Sequence, residues 1–280
     1  MSEAFYLTGL QAGWVYHERS RLHHALLASA TAPVGSGHPV NVSLGTEVKS
    51  VDPKTVSVTL IDGQVFYGDV VVGGDGFHST VRQQLIGPDT VLSAPSQTAV
   101  SFSVDVSLSG WNAVVRRFVD HAGRYERWAG DGLQLSIHAV EPGCLLFDTT
   151  VPTQRETGGT SNSLKSQILQ AFKSSQPDLI QLLSAIKLED IRTWSQASCP
   201  TVDQWTSGSV ALVGDAAHPF LPHELPGTSQ TFNDAASLAT ELGSDVTVGE
   251  VAARLAAWVI PRKDRVRVIQ QSERGSWFSS

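Results

Sequence analysis

The sequence predicts an α/β protein, with layers of strands and helices at both ends and a mostly antiparallel α+β insert between them. Three observations carry this. "VALVGDAAHPFLPHELPGTSQTFNDAASLA", Val210 to Ala239, runs from an apolar strand through a tight polar turn and a Pro/Gly-rich loop into a helix. "GDVVVGGDGFHSTVR" repeats the order of strand, glycine-rich turn and helix earlier in the chain. From about Ala94 to Pro200 the character changes to short runs of alternating apolar and polar residues.

The elements follow in order. Trp14 to Ala30 read as a helix, with Leu22, Ala25, Leu26 and Ala30 at helical spacing. "HPVNVSLGTEVKSVD" and "TVSVTLIDGQVFYGDVVVGGDG" read as strands, with Asp62-Gly63 as a hairpin signal. A helix follows from about Ser79 to Leu85. "TAVSFSVDVSL", "AVVRRFVD", "LQLSIHAV" and "CLLFDTTV" read as antiparallel strands. "SNSLKSQILQAFKSS" is an amphipathic helix presenting Leu164, Ile168, Leu169 and Phe172. "PDLIQLLSAI" is another, with Pro177 in its first turn. "VGEVAARLAAWVIPRKDRVRVIQQSERGSW" closes the chain as helix, with an interruption expected at Pro261.

The 280 residues suffice for a large core, and 41% hydrophobic with 17% charged residues is ordinary for a folded protein. A net charge of −7 argues against a nucleic acid or an anionic membrane as partner. No run of about 18 apolar residues exists, so no membrane span is expected. The start, MSEAFYLTGL, lacks the basic and apolar regions of a secretory signal. Cys144 and Cys199 lie far apart and read as packed thiols in a reducing compartment, so a cytoplasmic location is expected. His17, His23 and His24 cluster without other ligands at metal spacing and read as a solvated helix face.

Gly74-Asp75-Gly76-Phe77-His78-Ser79 nearly imitates the GxGxxG dinucleotide fingerprint, but Ser79 replaces the third glycine. No acidic residue ends a second strand about 20 residues on. With its flanks, the stretch resembles the Asp-Gly motif of the class A flavoprotein monooxygenases, the para-hydroxybenzoate hydroxylase-like aromatic hydroxylases. The matching positions are Gly73, Asp75, Gly76, His78, Ser79, Val81 and Arg82. Gly214-Asp215-Ala216-Ala217-His218-Pro219, continued by Gly227, Gln230, Asp234 and Ala235, resembles the second motif of that family. Trp194, Pro200 and Trp205 extend the likeness, and Arg19 stands where the family has a flavin-contacting arginine.

The resemblance implies an FAD-binding fold of the para-hydroxybenzoate hydroxylase type. Residues 1–93 would form part of the FAD-binding domain, 94–198 the substrate domain with its mostly antiparallel sheet, and 199–280 the remainder of the FAD-binding domain. It implies FAD as cofactor, NADPH as transient reductant and a small-molecule substrate of aromatic, polyketide or terpenoid origin, which is hydroxylated or epoxidised. Asp215 would accept hydroxyls of the ribityl chain. The helix after Gly227 would turn its N-terminus, with Thr228, toward the flavin, where amides and the helix dipole favour negative charge. Pro219 would fix the turn over the ring, and Arg19 and Asp75 would complete the cofactor contacts. Read alone, Asp75 and Asp215 also suit helix or turn caps, Arg19 a helix surface, and His218 packing or turn chemistry. No catalytic residue and no metal ligand is singled out.

The chain departs from the family in several places. The opening strand, GxGxxG turn and helix are absent, so a truncated form of the fold is expected, with an open sheet edge that self-association or a partner chain would cover. Where relatives carry Gln-Gly-Ala-Asn-Gln, this chain has Pro226-Gly227-Thr228-Ser229-Gln230, and Pro226 has no amide to donate. Ser103 stands where many relatives place an arginine facing the substrate. Three readings stay open: an FAD-dependent monooxygenase, a flavin-independent isomerase or cyclase on the same fold, and a non-catalytic binding module or decayed fragment.

Overall fold

A computed structural model of the chain describes residues 4–6, 19–33, 38–87, 97–106, 125–129, 133–141, 143–152, 160–196, 202–220 and 226–277. In chain order the elements are β1 (Ala4–Tyr6), α1 (Arg19–Thr31), β2 (Val48–Asp52), β3 (Ser57–Leu60), β4 (Val65–Tyr67), β5 (Val71–Gly73), α2 (Thr80–Ile86), β6 (Gln97–Asp105) and β7 (Tyr125–Ala129). They continue as β8 (Gln134–Glu141), β9 (Cys144–Pro152), α3 (Ser161–Ala171), α4 (Pro177–Ser184), β10 (Arg192–Gln196), β11 (Thr206–Ser207), β12 (Val210–Leu212), α5 (Pro226–Glu241) and α6 (Val251–Trp277). The expected start of the first helix, His17, the strand at 113–120, Cys199, Pro200 and the loop at 221–225 lie outside the described residues. The chain divides into two units: residues 1–42 with 95–196, and residues 43–94 with 197–280.

In the first unit, alternation builds an antiparallel sheet. Among the described residues it has six strands in the order β1-β7-β8-β9-β6-β10. Along β9, Leu145, Phe147, Thr149 and Val151 are buried, while the residues between them are half-buried. Phe147 lies opposite Phe102 of β6, and their rings stack with centroids 5.0 Å apart. Leu164, Ile168 and Phe172 around α3, and Leu179, Leu182 and Leu183 of α4, cover this face. The apolar stripe expected from the spacing is therefore the buried stripe of α3. Lys165 joins the two helices by donating to the carbonyls of Ser184 and Ile186, at 2.9 and 2.6 Å.

The sequence pattern missed β7 because Glu126 and Arg127 break its apolar run. Glu126 is nevertheless buried, and its Oε2 accepts from Trp128 Nε1 at 3.2 Å. On α1 the expected apolar stripe is not the buried one: Leu22 and Leu27 are half-buried, and Ala25, Leu26 and Ala30 are exposed. None of its residues is fully buried.

In the second unit, β12 pairs in parallel with β5, bringing Leu212 beside Gly73, and antiparallel with β11. The strands β2, β3 and β4 form an antiparallel meander. Its hairpin turns at Asp62-Gly63 as expected, with Gly63 at φ 88. The strand expected from residue 38 begins only at Val48; Val40, Val42 and Leu44 are exposed and in no strand, so their alternation has no partner to pair with.

Helix α6 buries Val251, Leu255, Trp258, Arg262 and Val266 along one stripe. It runs through Pro261 without the expected interruption. Pro261 and Ala257, whose carbonyl loses its donor there, both lie on the exposed side, where water can replace the missing bond.

The stacked pair in the first unit gives a test. Phe147→Ala should lower stability by about 3–5 kcal/mol through the cavity it leaves, read as a shifted denaturation midpoint followed by tryptophan fluorescence.

Candidate cofactor site

The two polar turns lie at the carboxyl ends of the parallel strands β5 and β12, and Val213 donates its amide to Gly73 O at 3.0 Å. Parallel sheets bind ligands beyond these strand ends, where loops diverge and helix N-termini collect. Gly73 is needed for packing: a Cβ there would lie 2.8 Å from the Val81 side chain of α2. Gly214 is needed for conformation as well, with φ at 59, and a Cβ would lie 3.0 Å from Thr231 Oγ1 of α5.

After β5, the Asp75 carboxylate closes the start of α2. Oδ1 accepts from Ser79 Oγ at 2.5 Å and Oδ2 from the Val81 amide at 3.1 Å. Ser79 is the N-cap, its Oγ accepting from the Arg82 amide at 2.8 Å. Arg82 is buried and its guanidinium crosses to the other turn, where Nη1 donates to the carbonyls of Asp215 and Ala216, both at 3.1 Å. Its Nη2 donates to Phe77 O. One arginine therefore ties the Asp75 turn to the Asp215 turn.

After β12, Gly214–Ala216 form one 3-10 turn and the Asp215 side chain is exposed. The Ala217 and His218 amides both donate to Gly214 O, at 2.9 and 2.8 Å. His218 is buried; its ring lies 5.0 Å from that of Trp205 and 5.7 Å from that of Phe220. Pro219 offers its carbonyl to Gln270 Nε2 of α6 at 3.3 Å. Pro226 is the first residue of α5, a position whose amide has no intrahelical acceptor in any helix, so proline suits it. The first-turn amides of Gly227 and Thr228 follow; Gly227 is half-buried with a Cβ position 3.3 Å from Phe220 Cβ, and Thr228 is exposed.

Asp234 of α5 lies beneath this turn, fully buried. Its Oδ2 accepts from the Gly214 amide at 2.9 Å and from His218 Nε2 at 2.5 Å. Its Oδ1 accepts from Arg262 Nε of α6 at 2.9 Å, and Arg262 Nη2 also reaches Gln230 O and Oε1 at 3.2 and 3.1 Å. Burial pushes the Asp234 carboxyl up, but the His218 hydrogen bond and charge, the Gly214 amide and Arg262 together hold it below the ordinary carboxylate range.

Of the six residues singled out for the cofactor, Asp75, Asp215, Pro219, Gly227 and Thr228 belong to the second unit. Arg19 belongs to the first, exposed at the start of α1. Asp215 is an exposed residue, and both oxygens of Asp75 accept from the start of α2. The sequence reading named Arg82 and Asp234 only as motif matches and found no signal for Arg262, whose partner lies 28 residues away on another helix. Among the described residues no group of three or more His, Cys, Asp or Glu is arranged to hold a metal ion, and no helix is long and apolar enough to cross a membrane.

An exposed aspartate in a turn beyond a parallel strand, followed by a helix whose first turn carries the Gly227 and Thr228 amides, suits a polyhydroxylated chain joined to an electron-accepting ring. This donor and acceptor set fits the ribityl and ring portion of FAD. The class is an α/β cofactor-binding unit joined to an antiparallel-sheet unit. The chain belongs to the FAD binding domain family, which it matches over residues 21–272. It is 27% identical to the FAD-dependent monooxygenase cfoG of Aspergillus candidus across 96% of this chain and 64% of that protein. It is 30% identical to the aurachin C monooxygenase/isomerase of Stigmatella aurantiaca across 80% of this chain and 55% of that one. HpxO of Klebsiella pneumoniae, solved with FAD and uric acid, superposes with a TM-score of 0.69 at 21% identity, covering 82% of this chain and 57% of that one. That likeness shows the fold, the FAD-binding fold of the para-hydroxybenzoate hydroxylase type. The chain thus spans between 55% and 64% of the length of these three proteins.

Asp234 is held ionised more readily than an ordinary carboxyl, and this sets the sign of its pH dependence. Its stabilisation is present above the ordinary carboxylate range and is lost as pH falls through the depressed folded value. Asp234→Asn should cost about 3–5 kcal/mol at neutral pH, the usual cost of breaking a buried ion pair. Denaturant titrations should show the gap between wild type and variant narrowing in acid.

Proposed function

We propose that the protein is an FAD-dependent monooxygenase that uses NADPH as reductant and hydroxylates or epoxidises a small aromatic, polyketide- or terpenoid-derived metabolite. The observation that carries this reading is the exposed Asp215 in the turn beyond β12, in a chain of the FAD binding domain family. Residues 1–93 and 199–280 serve the cofactor in this reading, and 94–198 enclose the substrate.

In this reading Asp215 accepts hydrogen bonds from ribityl hydroxyls, while the amides of Gly227 and Thr228 donate toward the ring and favour its negatively charged state. Pro219 stiffens the turn between them. Asp75 acts at one remove, holding the start of α2 and with it Arg82, which grips the carbonyls of the Asp215 turn. Arg19 supplies a cationic contact to the cofactor. Reduced FAD, when bound, supplies the oxygen chemistry; the chain supplies placement and exclusion of water. The protein acts in the cytoplasm, and self-association or a partner chain covers the β5 edge, where Val72 is exposed.

A second reading, an isomerase or cyclase working without flavin, draws on Pro226, which removes one amide from the first turn of α5. FAD titration followed by flavin fluorescence separates the two. The first reading expects saturable binding and FAD-dependent NADPH oxidation. It also expects Asp215→Ala to weaken FAD binding on the order of 10- to 100-fold, as for loss of a charge-assisted hydrogen bond. A folded, colourless protein indifferent to FAD would sink it.

A further inference from the structure

Three separate elements converge on Asp234: the turn after β12, helix α5 that carries it, and helix α6 through Arg262. A carboxylate held ionised can only accept, so all three partners donate, and the proton shared with His218 belongs to Nε2. Nδ1 of His218 is buried and has no hydrogen-bond partner, so the ring is held by one polar contact and by a tilted ring contact with Trp205 and an edge-type one with Phe220. The two donors on Oδ2, the Gly214 amide and His218 Nε2, flank Asp215 on either side in sequence. The backbone between them is gripped at Asp215 and Ala216 by Arg82. This leaves the turn little freedom, yet its Asp215 side chain is exposed.

We infer that His218, acting through Asp234 and braced by Arg262, is a positioning residue that sets the backbone of Gly214–Asp215 and so aims the Asp215 carboxylate. The inference rests on the flavin reading for its ligand but not for its geometry. A buried histidine that only filled space would be replaceable by any side chain of similar bulk. A positioning histidine is replaceable only by one that delivers an N–H to where Nε2 stands.

Two amides distinguish these cases. The side-chain amide of His218→Gln reaches the Nε2 position, whereas that of His218→Asn stops near Nδ1 and cannot reach Asp234. Both lose the ring, so the packing loss beside Trp205 and Phe220 is common to both. The first measurement is hydrogen exchange of the Gly214 amide in the protein without added flavin. His218→Asn should speed that exchange about tenfold or more, the effect of a lost hydrogen bond, and leave the amides of β12 protected. His218→Gln should restore it. The second measurement is FAD affinity, which should fall about tenfold in His218→Asn and recover in His218→Gln. Equal behaviour of the two variants, or unchanged Gly214 exchange in both, overturns the inference. If wild type does not bind FAD, the flavin reading fails while the exchange measurement still decides the positioning role. Should His218→Asn not fold, Arg262→Gln probes the same carboxylate from α6: faster Gly214 exchange supports the strut, and unchanged exchange overturns it.

Discussion

A buried carboxylate is unfavourable unless donors replace the water it has lost, and Asp234 has three of them. That requirement organises much of the second unit. The Gly214 amide can reach Asp234 only if the chain turns sharply after β12, which a glycine at positive φ allows. Arg262 can reach it only if α6 lies along α5, so the last helix is tied by charge as well as by Val251, Leu255 and Trp258. Removing any one donor leaves the others around a poorly compensated charge. The network is therefore cooperative rather than a sum of separate bonds.

Arg82 plays the corresponding part between the two turns. Its guanidinium donates to three backbone carbonyls drawn from both motifs. The polar turns at the ends of β5 and β12 therefore form one assembly, although 133 residues separate Arg82 from Asp215. The six-stranded unit uses different means. Its core is aliphatic and aromatic, centred on Phe102 and Phe147, and its order follows from alternation and cross-strand pairing.

The fold was largely legible in the sequence because periodicity is a local property. The alternation of 144–151, the apolar stripe of 161–172 and the hairpin at Asp62-Gly63 each predict an element that the structure contains. Where the reading missed, a non-local partner was responsible. Residues 38–47 alternate without a strand to pair with, β7 contains charged residues yet is paired on both sides, and α6 tolerates Pro261 because that residue faces solvent. The candidate site was legible in part. Asp215, Gly227 and Thr228 are singled out by the resemblance of their stretch to the second motif of the class A flavoprotein monooxygenases, not by periodicity.

The sequence by itself determined the class of the protein: two polar turns after apolar strands, an antiparallel insert and the motif residues that mark the FAD binding domain family. Only the tertiary structure decided which distant side chains meet. It left Asp215 exposed while engaging both oxygens of Asp75 at the start of α2, and it gathered His218 and Arg262 onto the Asp234 carboxylate. The reason is physical. Periodicity and turn chemistry act over a few neighbouring residues, whereas burial and hydrogen-bond partnership depend on which distant elements pack together.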